Sequence, residues 1–255
     1  MNIINSKPLV SIITVTYNSS ADLKESLDSL ILQDYPNIES VIIDGKSADD
    51  TIDVIKDFSE KFHGSVKWIS EKDNGIYDAI NKGLKMSSGE IIGCLWDVYS
   101  KNDAISKIVS AILNNNCDGA HSELCYVKNN QIIRYWRTGN GYIEQGWMPA
   151  HPTLYLRRNV YDRYGMYSLK YGVYGDYEFI CRCFKDKSIK IAYIPEVLIH
   201  MNYGGVSNQS IKSYADSILI STKALKDNDY RHPYLITLKR IIKTAFQFID
   251  KLCLH

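Results

Sequence analysis

In the first half of the chain the apolar positions switch repeatedly between short β-branched runs and helical spacing. Residues 9–16 (Leu-Val-Ser-Ile-Ile-Thr-Val-Thr) predict a strand ending in the polar turn Tyr17-Asn18-Ser19-Ser20, which offers caps for a helix. Leu23, Leu27, Leu30 and Ile31 mark one face of a helix over 21–33, and Tyr35-Pro36-Asn37 stops it. The stretch from Val41 to Ser47, Val-Ile-Ile-Asp-Gly-Lys-Ser, predicts a buried parallel strand that delivers a carboxylate to its carboxyl end. Next come a helix over 49–62 with Ile52, Ile55, Phe58 and Phe62 inward, a strand over 66–69 and a polar loop over 70–75. A helix over 76–86, a strand over 90–95 and a helix over 104–114 complete this half. Such alternation requires right-handed crossovers and a mostly parallel sheet covered on both faces.

From about Gly119 the texture becomes strand-like and aromatic. Residues 123–128 and 131–137 predict a hairpin around Asn129-Asn130, and 142–148, 151–157 and 189–194 predict further strands. Residues 174–185 predict a helix with Phe179, Ile180 and Cys183 inward. The chain then reads as helical over 211–226 and 233–254. In the last helix Leu235, Leu238, Ile241, Ile242, Ala245, Phe246, Ile249 and Leu252 share a side, interleaved with Lys239, Arg240, Lys243 and Lys251. A basic amphipathic helix either lies on an anionic membrane or packs its apolar face on its own domain or on a partner subunit.

Composition narrows the field. The 255 residues are 45% hydrophobic and 23% charged, with a net charge of +1, so no charge excess points to nucleic acid. The six cysteines form no CxxC pair and suit a reducing compartment. No run reaches a membrane span and no leader pattern opens the chain, so a cytoplasmic protein is expected. Nineteen tyrosines suit clefts and carbohydrate faces. In open α/β sheets ligands bind beyond the carboxyl ends of strands, which makes Asp44 a candidate for ligand contact. The competing reading is a turn acid that caps the helix near Ala48.

Several segments together resemble family 2 glycosyltransferases with the GT-A fold. They are Val-Ser-Ile-Ile-Thr-Val-Thr-Tyr-Asn (10–18), Ile-Asp-Gly-Lys-Ser-Ala-Asp-Asp-Thr (43–51) and Glu-Lys-Asp-Asn-Gly-Ile-Tyr-Asp-Ala-Ile-Asn-Lys-Gly (71–83). Ser-Ser-Gly-Glu-Ile-Ile-Gly (87–93), Gly-Asp-Tyr-Glu-Phe (175–179) and Gly-Gly-Val-Ser (204–207) continue the match in the same order. The resemblance implies an α/β protein: a GT-A type αβα sandwich with a mostly parallel central sheet, plus C-terminal helices. It implies a GT-A domain over 1–210, with a nucleotide-binding half of about 1–118 and an acceptor half of about 119–210, followed by a helical extension over 211–255. It further implies inverting transfer of a sugar from a nucleotide-sugar, foremost a UDP-sugar, to an acceptor hydroxyl in cell-surface glycan synthesis. The acceptor would be a saccharide or lipid-linked saccharide. Peripheral membrane contact through 233–255 and a homo-oligomer are compatible with it.

By the same resemblance Thr16, Tyr17, Asp44, Asp73, Gly75, Asp78 and Lys82 would bind the nucleotide, and Asp176 would be the catalytic base. The competing role for Asp176 is the amino-terminal cap of the helix that follows it. Trp147, His151 and Glu178 would lie on the acceptor side. The family's acidic metal motif is shortened here to Leu95-Trp96-Asp97-Val98-Tyr99. Asp97, with His200 as a candidate second ligand, would hold Mn²⁺ or Mg²⁺ together with phosphate oxygens. The shortening leaves open a catalytically impaired sugar-nucleotide-binding protein. No glycine-rich, Arg/Lys-bearing loop of the kind that cradles a triphosphate is present, which argues against a nucleotidyltransferase.

Overall fold

The computed structural model describes residues 7–129, 131–202 and 211–246. The predicted alternation appears as β1 (Val10–Thr16), α1 (Ser20–Ile31), β2 (Ile38–Asp44), α2 (Thr51–Lys61), β3 (Ser65–Ser70), α3 (Ile76–Met86) and β4 (Ile91–Cys94). After β4 come β5 (Val98–Tyr99), α4 (Ala104–Asn114), the hairpin β6 (Gly119–Lys128) and β7 (Gln131–Trp136), β8 (Tyr155–Arg157), α5 (Arg158–Tyr164) and α6 (Gly175–Phe184). The last elements are β9 (Ile191–Asn202), α7 (Ile211–Asp227) and α8 (Pro233–Phe246). The strands form one sheet in the order β3-β2-β1-β4-β8-β6-β9-β5, with β7 paired to β6. β3, β2, β1 and β4 are parallel, and β8 is antiparallel to both β4 and β6.

Alternation along the strands sends successive side chains to opposite faces, and each face has its own core. Val10, Ile12 and Ile42 pack with Leu27 and Leu30 of α1, Ile55 and Phe58 of α2, and Ile105 and Ile108 of α4. Ile13, Val41, Ile43 and Ile92 pack with Ile80 and Leu84 of α3, Phe179 and Ile180 of α6, Leu225 of α7 and Ile236 of α8. The molecule is thus the expected αβα sandwich. Cys94, Cys117, Cys125, Cys181 and Cys183 are free and buried.

Three local expectations need correction. Residues 142–148 do not form a strand: Ile143–Gln145 is a single 3-10 turn that ends at Gly146 with φ +71°. In 151–157, His151–Thr153 is another such turn, because Pro152 has no N–H to give a ladder, and β8 begins only at Tyr155. β9 runs on past 194 to Asn202. It accommodates Pro195 where its register against β6 jumps from Ser122↔Ile194 to Glu123↔Val197. The last helix is described to Phe246; the rest of 233–254 and the Gly-Gly-Val-Ser motif at 204–207 lie outside the described residues.

One buried charge lies beneath the amino half of the sheet. Glu39 on β2 receives hydrogen bonds from Ser11 Oγ (2.6 Å), Ser88 N (2.7 Å) and Ser88 Oγ (2.6 Å), and Lys67 Nζ lies 2.5 Å away. Burial alone would raise its pKa, but Lys67, Ser11 and Ser88 outweigh burial and bring it down to about 2. The unfolded chain keeps an ordinary Glu near 4.5, so this stability is complete above that value and is lost as pH falls toward 2. Denaturant unfolding between pH 6 and pH 2 should show a loss of about 3 kcal/mol from this group. Glu39→Gln should remove that part of the slope, and an unchanged slope in the variant would refute the assignment.

Candidate active site

The carboxyl ends of β1, β2 and β4 lie along one edge of the sheet, and Gly175 at the start of α6 meets Tyr77 of α3; the space they border is the candidate cleft. Parallel pairing sets Thr16 level with Asp44, so the first two strands end together. Tyr17 follows at once and leaves 64% of its surface open, a free ring at the mouth of the cleft. Gly45 lies against that ring and against Asp73: a Cβ there would stand 2.9 Å from Asp73 Oδ2 and 3.3 Å from Tyr17 Cδ2. The structure thus brings Tyr17, Asp44, Gly45 and Asp73 into one corner.

Asp44 itself is fully buried. Its carboxylate accepts from Lys46 N (3.1 Å), Ser47 N (3.0 Å), Ser47 Oγ (2.5 Å) and Ser70 Oγ (2.5 Å). It thus braces the loop after β2 against the end of β3, and it reaches a ligand only by exchanging a serine. Gly75 takes φ +107° at the start of α3, with open space where a Cβ would stand. Asp73 Oδ1 accepts from Gly75 N (2.9 Å), and Asp78 reaches back to Asn74 N (2.9 Å). Lys82 is bound to Glu71 (2.8 Å) and to the Lys72 carbonyl (2.7 Å), and Glu71 raises its pKa. Its charge is therefore already compensated within the 71–82 segment.

Asp97 follows β4 and has the opposite environment. It is 8% exposed; Oδ1 accepts from Asn202 N at 3.3 Å, and Oδ2 is buried with no partner. Burial pushes its pKa up to about 7, against the Asn202 N–H, while Asp22 raises it further. His200 stands opposite Val98 in the β5–β9 pairing, so the pleat turns it to the face away from Asp97. Among the described residues no three His, Cys, Asp or Glu side chains cluster as a metal site. Among the described residues Asp97 would therefore hold a metal without a cluster of protein ligands, and the other ligands would be phosphate oxygens and water. An unpartnered buried carboxylate oxygen fits that role.

Asp176 lies in the first turn of α6 and accepts from Tyr177 N at 2.7 Å. Its carboxylate acts on three residues around it. After burial it is the main influence raising Tyr77, and it opposes the burial that lowers His151; burial raises Tyr126 against Arg134, with Asp97 and Asp176 adding to the rise. Gly175 makes this approach feasible, since a Cβ there would press to 2.7 Å from the Tyr77 ring. His151 pairs through Nε2 with Tyr167 Oη at 2.8 Å and lies 5.4 Å from the Trp96 ring. The Arg134 guanidinium lies 4.7 Å over the Tyr126 ring. Tyr77, Tyr126, Trp96 and Arg134 were not foreseen. Tyr77 sits beside Asp78 in the 71–83 motif, whereas Tyr126 and Arg134 meet only through the β6–β7 pairing.

Two residues expected on the acceptor side are engaged with partners of their own. Glu178 is buried in an ion pair with Arg182 (2.9 Å) and takes Asn228 Nδ2 (3.2 Å). Trp147 donates to the Thr138 and Gly139 carbonyls (2.8 and 3.0 Å) and packs on Phe184, at the far end of α6 from Asp176.

A model of the glycosyl transferase family 2 matches residues 11–185. A PGL/p-HBAD biosynthesis glycosyltransferase of Mycobacterium bovis is 28% identical over 226 residues, covering 85% of this chain and 86% of its own. An uncharacterized glycosyltransferase of Haemophilus influenzae is 31% identical over 128 residues, 49% of this chain and 51% of its own. The crystal structure of S. aureus TarS 1-349 in complex with UDP-GlcNAc is similar with TM-score 0.70 at 17% identity, over 91% of this chain and 71% of that one. Mannosyltransferase PcManGT from Pyrobaculum calidifontis, in complex with GDP-Man and Mn²⁺, gives TM-score 0.66 at 17% identity, over 92% of this chain and 70% of that one. The two structures share the fold described above.

The strain at Asp97 has a measurable consequence. Without divalent cation at pH 8, Asp97→Asn should melt about 2–4 °C higher than the parent, because a buried charge is removed. A lower melting point in differential scanning calorimetry would mean that the Asp97 carboxylate is satisfied in the native protein.

Proposed function

The chain belongs to glycosyl transferase family 2, and from that premise we propose that it moves a sugar from a nucleotide-diphospho-sugar, foremost a UDP-sugar, to an acceptor hydroxyl with inversion at the anomeric carbon. One observation carries this reading. Asp97, three residues beyond β4, keeps a buried carboxylate oxygen with no partner, and Asp176 stands in the first turn of α6, where Gly175 meets the Tyr77 ring of α3. One carboxylate is available to the leaving-group side and the other to the acceptor.

In this reading Asp176 takes the proton of the acceptor hydroxyl as its oxygen attacks the anomeric carbon. Single displacement needs only this one base, since no covalent intermediate forms. The Tyr77 ring packs against Gly175, next to that carboxylate in the chain. Tyr17 offers its exposed ring to the base of the nucleotide, and the glycine at 75 leaves room for the donor beside α3. Asp97 would hold a divalent cation, which when bound supplies positive charge to the departing diphosphate. The UDP-GlcNAc complex of TarS and the glycosyltransferase of Mycobacterium bovis support a nucleotide-sugar donor and a role in glycan synthesis.

The lone acid at Asp97 also favours a second reading, a sugar-nucleotide binder with no turnover. Asp176→Asn separates the two. We expect the variant to keep the melting shift induced by UDP-sugars while transfer falls about 10²–10⁴-fold, with an inverted anomer in the parent's product by ¹H NMR. An unaffected rate would remove Asp176 as base. A parent protein that binds UDP-sugars without turning any over would leave the binder reading.

No described helix is long and apolar enough to cross a membrane. On α8, Leu235, Leu238 and Ile242 are exposed together at helical spacing, beside Lys239 and Lys243. This face suits peripheral contact with an anionic lipid surface. In liposome flotation, Leu238→Glu with Ile242→Glu should cut binding to phosphatidylglycerol vesicles at least tenfold. Equal flotation of the variant and the parent would refute the contact.

A further inference from the structure

A second concavity of about 400 Å³ lies apart from the cleft. It includes Phe184 at the end of α6, about 12 Å further along the helix axis than Asp176 at 1.5 Å per residue. Ile191, also in its wall, pairs with Gly119, so the pocket sits at the amino ends of β6 and β9. The donor cleft lies at the carboxyl ends of the parallel strands.

The walls are aromatic. The His121 ring lies between Trp147 (5.5 Å) and Tyr193 (5.2 Å), and Trp147 stacks on Phe184 (6.1 Å). Tyr142, 59% exposed, stands at the mouth with the exposed amides of Asn140 and Gln145. The charges present are already answered. Asp186 is held by Arg163 (2.6 Å) and Tyr164 Oη (2.6 Å), and Lys187 by Glu144 (2.7 Å). The pocket therefore has no spare charge for a phosphate or a carboxylate.

One polar atom is left over. His121 is fully buried, and its Nε2 has no partner. Its Nδ1 lies 3.1 Å from Thr138 Oγ1, which itself lies 3.1 Å from the Ser122 carbonyl. The threonine has one proton, and the carbonyl can only accept. Thr138 therefore donates to Ser122 and accepts from Nδ1–H, which leaves Nε2 as a bare acceptor. Burial lowers the His121 pKa to about 4, in keeping with a neutral ring. Apolar faces, neutral amides and an acceptor that needs an O–H together describe a neutral polyhydroxyl ligand with an apolar side.

We propose that this pocket is an accessory site for one neutral sugar residue of the acceptor glycan, at the opposite end of α6 from the base at Asp176. The proposal rests on the glycosyltransferase reading for the word acceptor, but the pocket's affinity for a saccharide stands or falls independently. The test uses the full chain, methyl glycosides of glucose, galactose, mannose and N-acetylglucosamine as probes, and saturation-transfer difference NMR. At least one glycoside should bind at millimolar concentration, saturating UDP should not displace it, and Tyr142→Ala and Gln145→Ala should each weaken it tenfold or more. Both positions are exposed, so neither substitution removes core packing. The UDP-sugar melting shift should be the same in both variants. Absence of binding by every glycoside, displacement by UDP, or equal affinity in the variants would overturn the proposal. Glycoside binding without any response to UDP-sugars would instead sink the transferase reading and leave a saccharide pocket.

Discussion

Asp44 is a charge at zero exposure, and an unpaired charge there would cost several kcal/mol. It is tolerated because two backbone N–H groups and two serine hydroxyls converge on it. Those donors come from the turn after β2 and from the last residue of β3. Lys46, within that turn, takes φ +68°, a conformation that side chains other than glycine rarely adopt. The carboxylate thus holds a strained turn in place, and the turn in turn lets Gly45 meet Tyr17 and Asp73. The corner where Tyr17, Gly45 and Asp73 meet rests on this brace.

The contrast with Asp97 shows where the molecule gives up stability. Both acids end parallel strands of one sheet and both are buried, yet Asp44 has its oxygens filled and Asp97 has one empty. The same fold could have offered Asp97 a serine, as it does Asp44 with Ser70. A buried, unfilled acceptor calls for an explanation, and completion by a group from outside the chain is one. Lys82 makes the complementary point. Glu71 and a backbone carbonyl already neutralise it, so the 71–82 segment contributes shape to the cleft more than positive charge.

The parallel core was legible because a two-residue period and a 3.6-residue period cannot be confused over runs as long as those of β1, α1 and α3. Asp97 and Asp176 were legible as positions at strand and helix ends, through motifs. Their environment was not. Whether an acid is braced or orphaned depends on residues far away in sequence, such as Ser70 for Asp44 and Asn202 for Asp97. The segment 142–157 misled for a different reason. Its aromatic and β-branched residues favour strands, but Gly146 and Pro152 interrupt it and confine pairing to Tyr155–Arg157. Trp147 was drawn to the acceptor side by its neighbours in sequence, whereas its partner is Phe184 on the far end of α6.

α6 joins these regions mechanically. Its first turn carries Asp176 and its last residue lines the second pocket. The chain beyond the matched family region grips it along its length. Tyr230 donates to the Cys181 carbonyl (2.9 Å), Asn228 reaches Glu178, and the Arg240 guanidinium lies 4.6 Å over the Tyr177 ring. α8 also supports the wall of the pocket. Gly146 sits so close to it that a Cβ would stand 2.5 Å from Arg240 N, and Lys239 caps the Glu144 carbonyl at 3.3 Å. Removing α8 would therefore strip cover from α6 and loosen the 142–147 loop, as well as deleting the exposed Leu235–Leu238–Ile242 stripe. The stripe can be altered alone only from its outer face. The inner face of α8, with Ile236 and Thr237 buried, is part of the structure that holds α6.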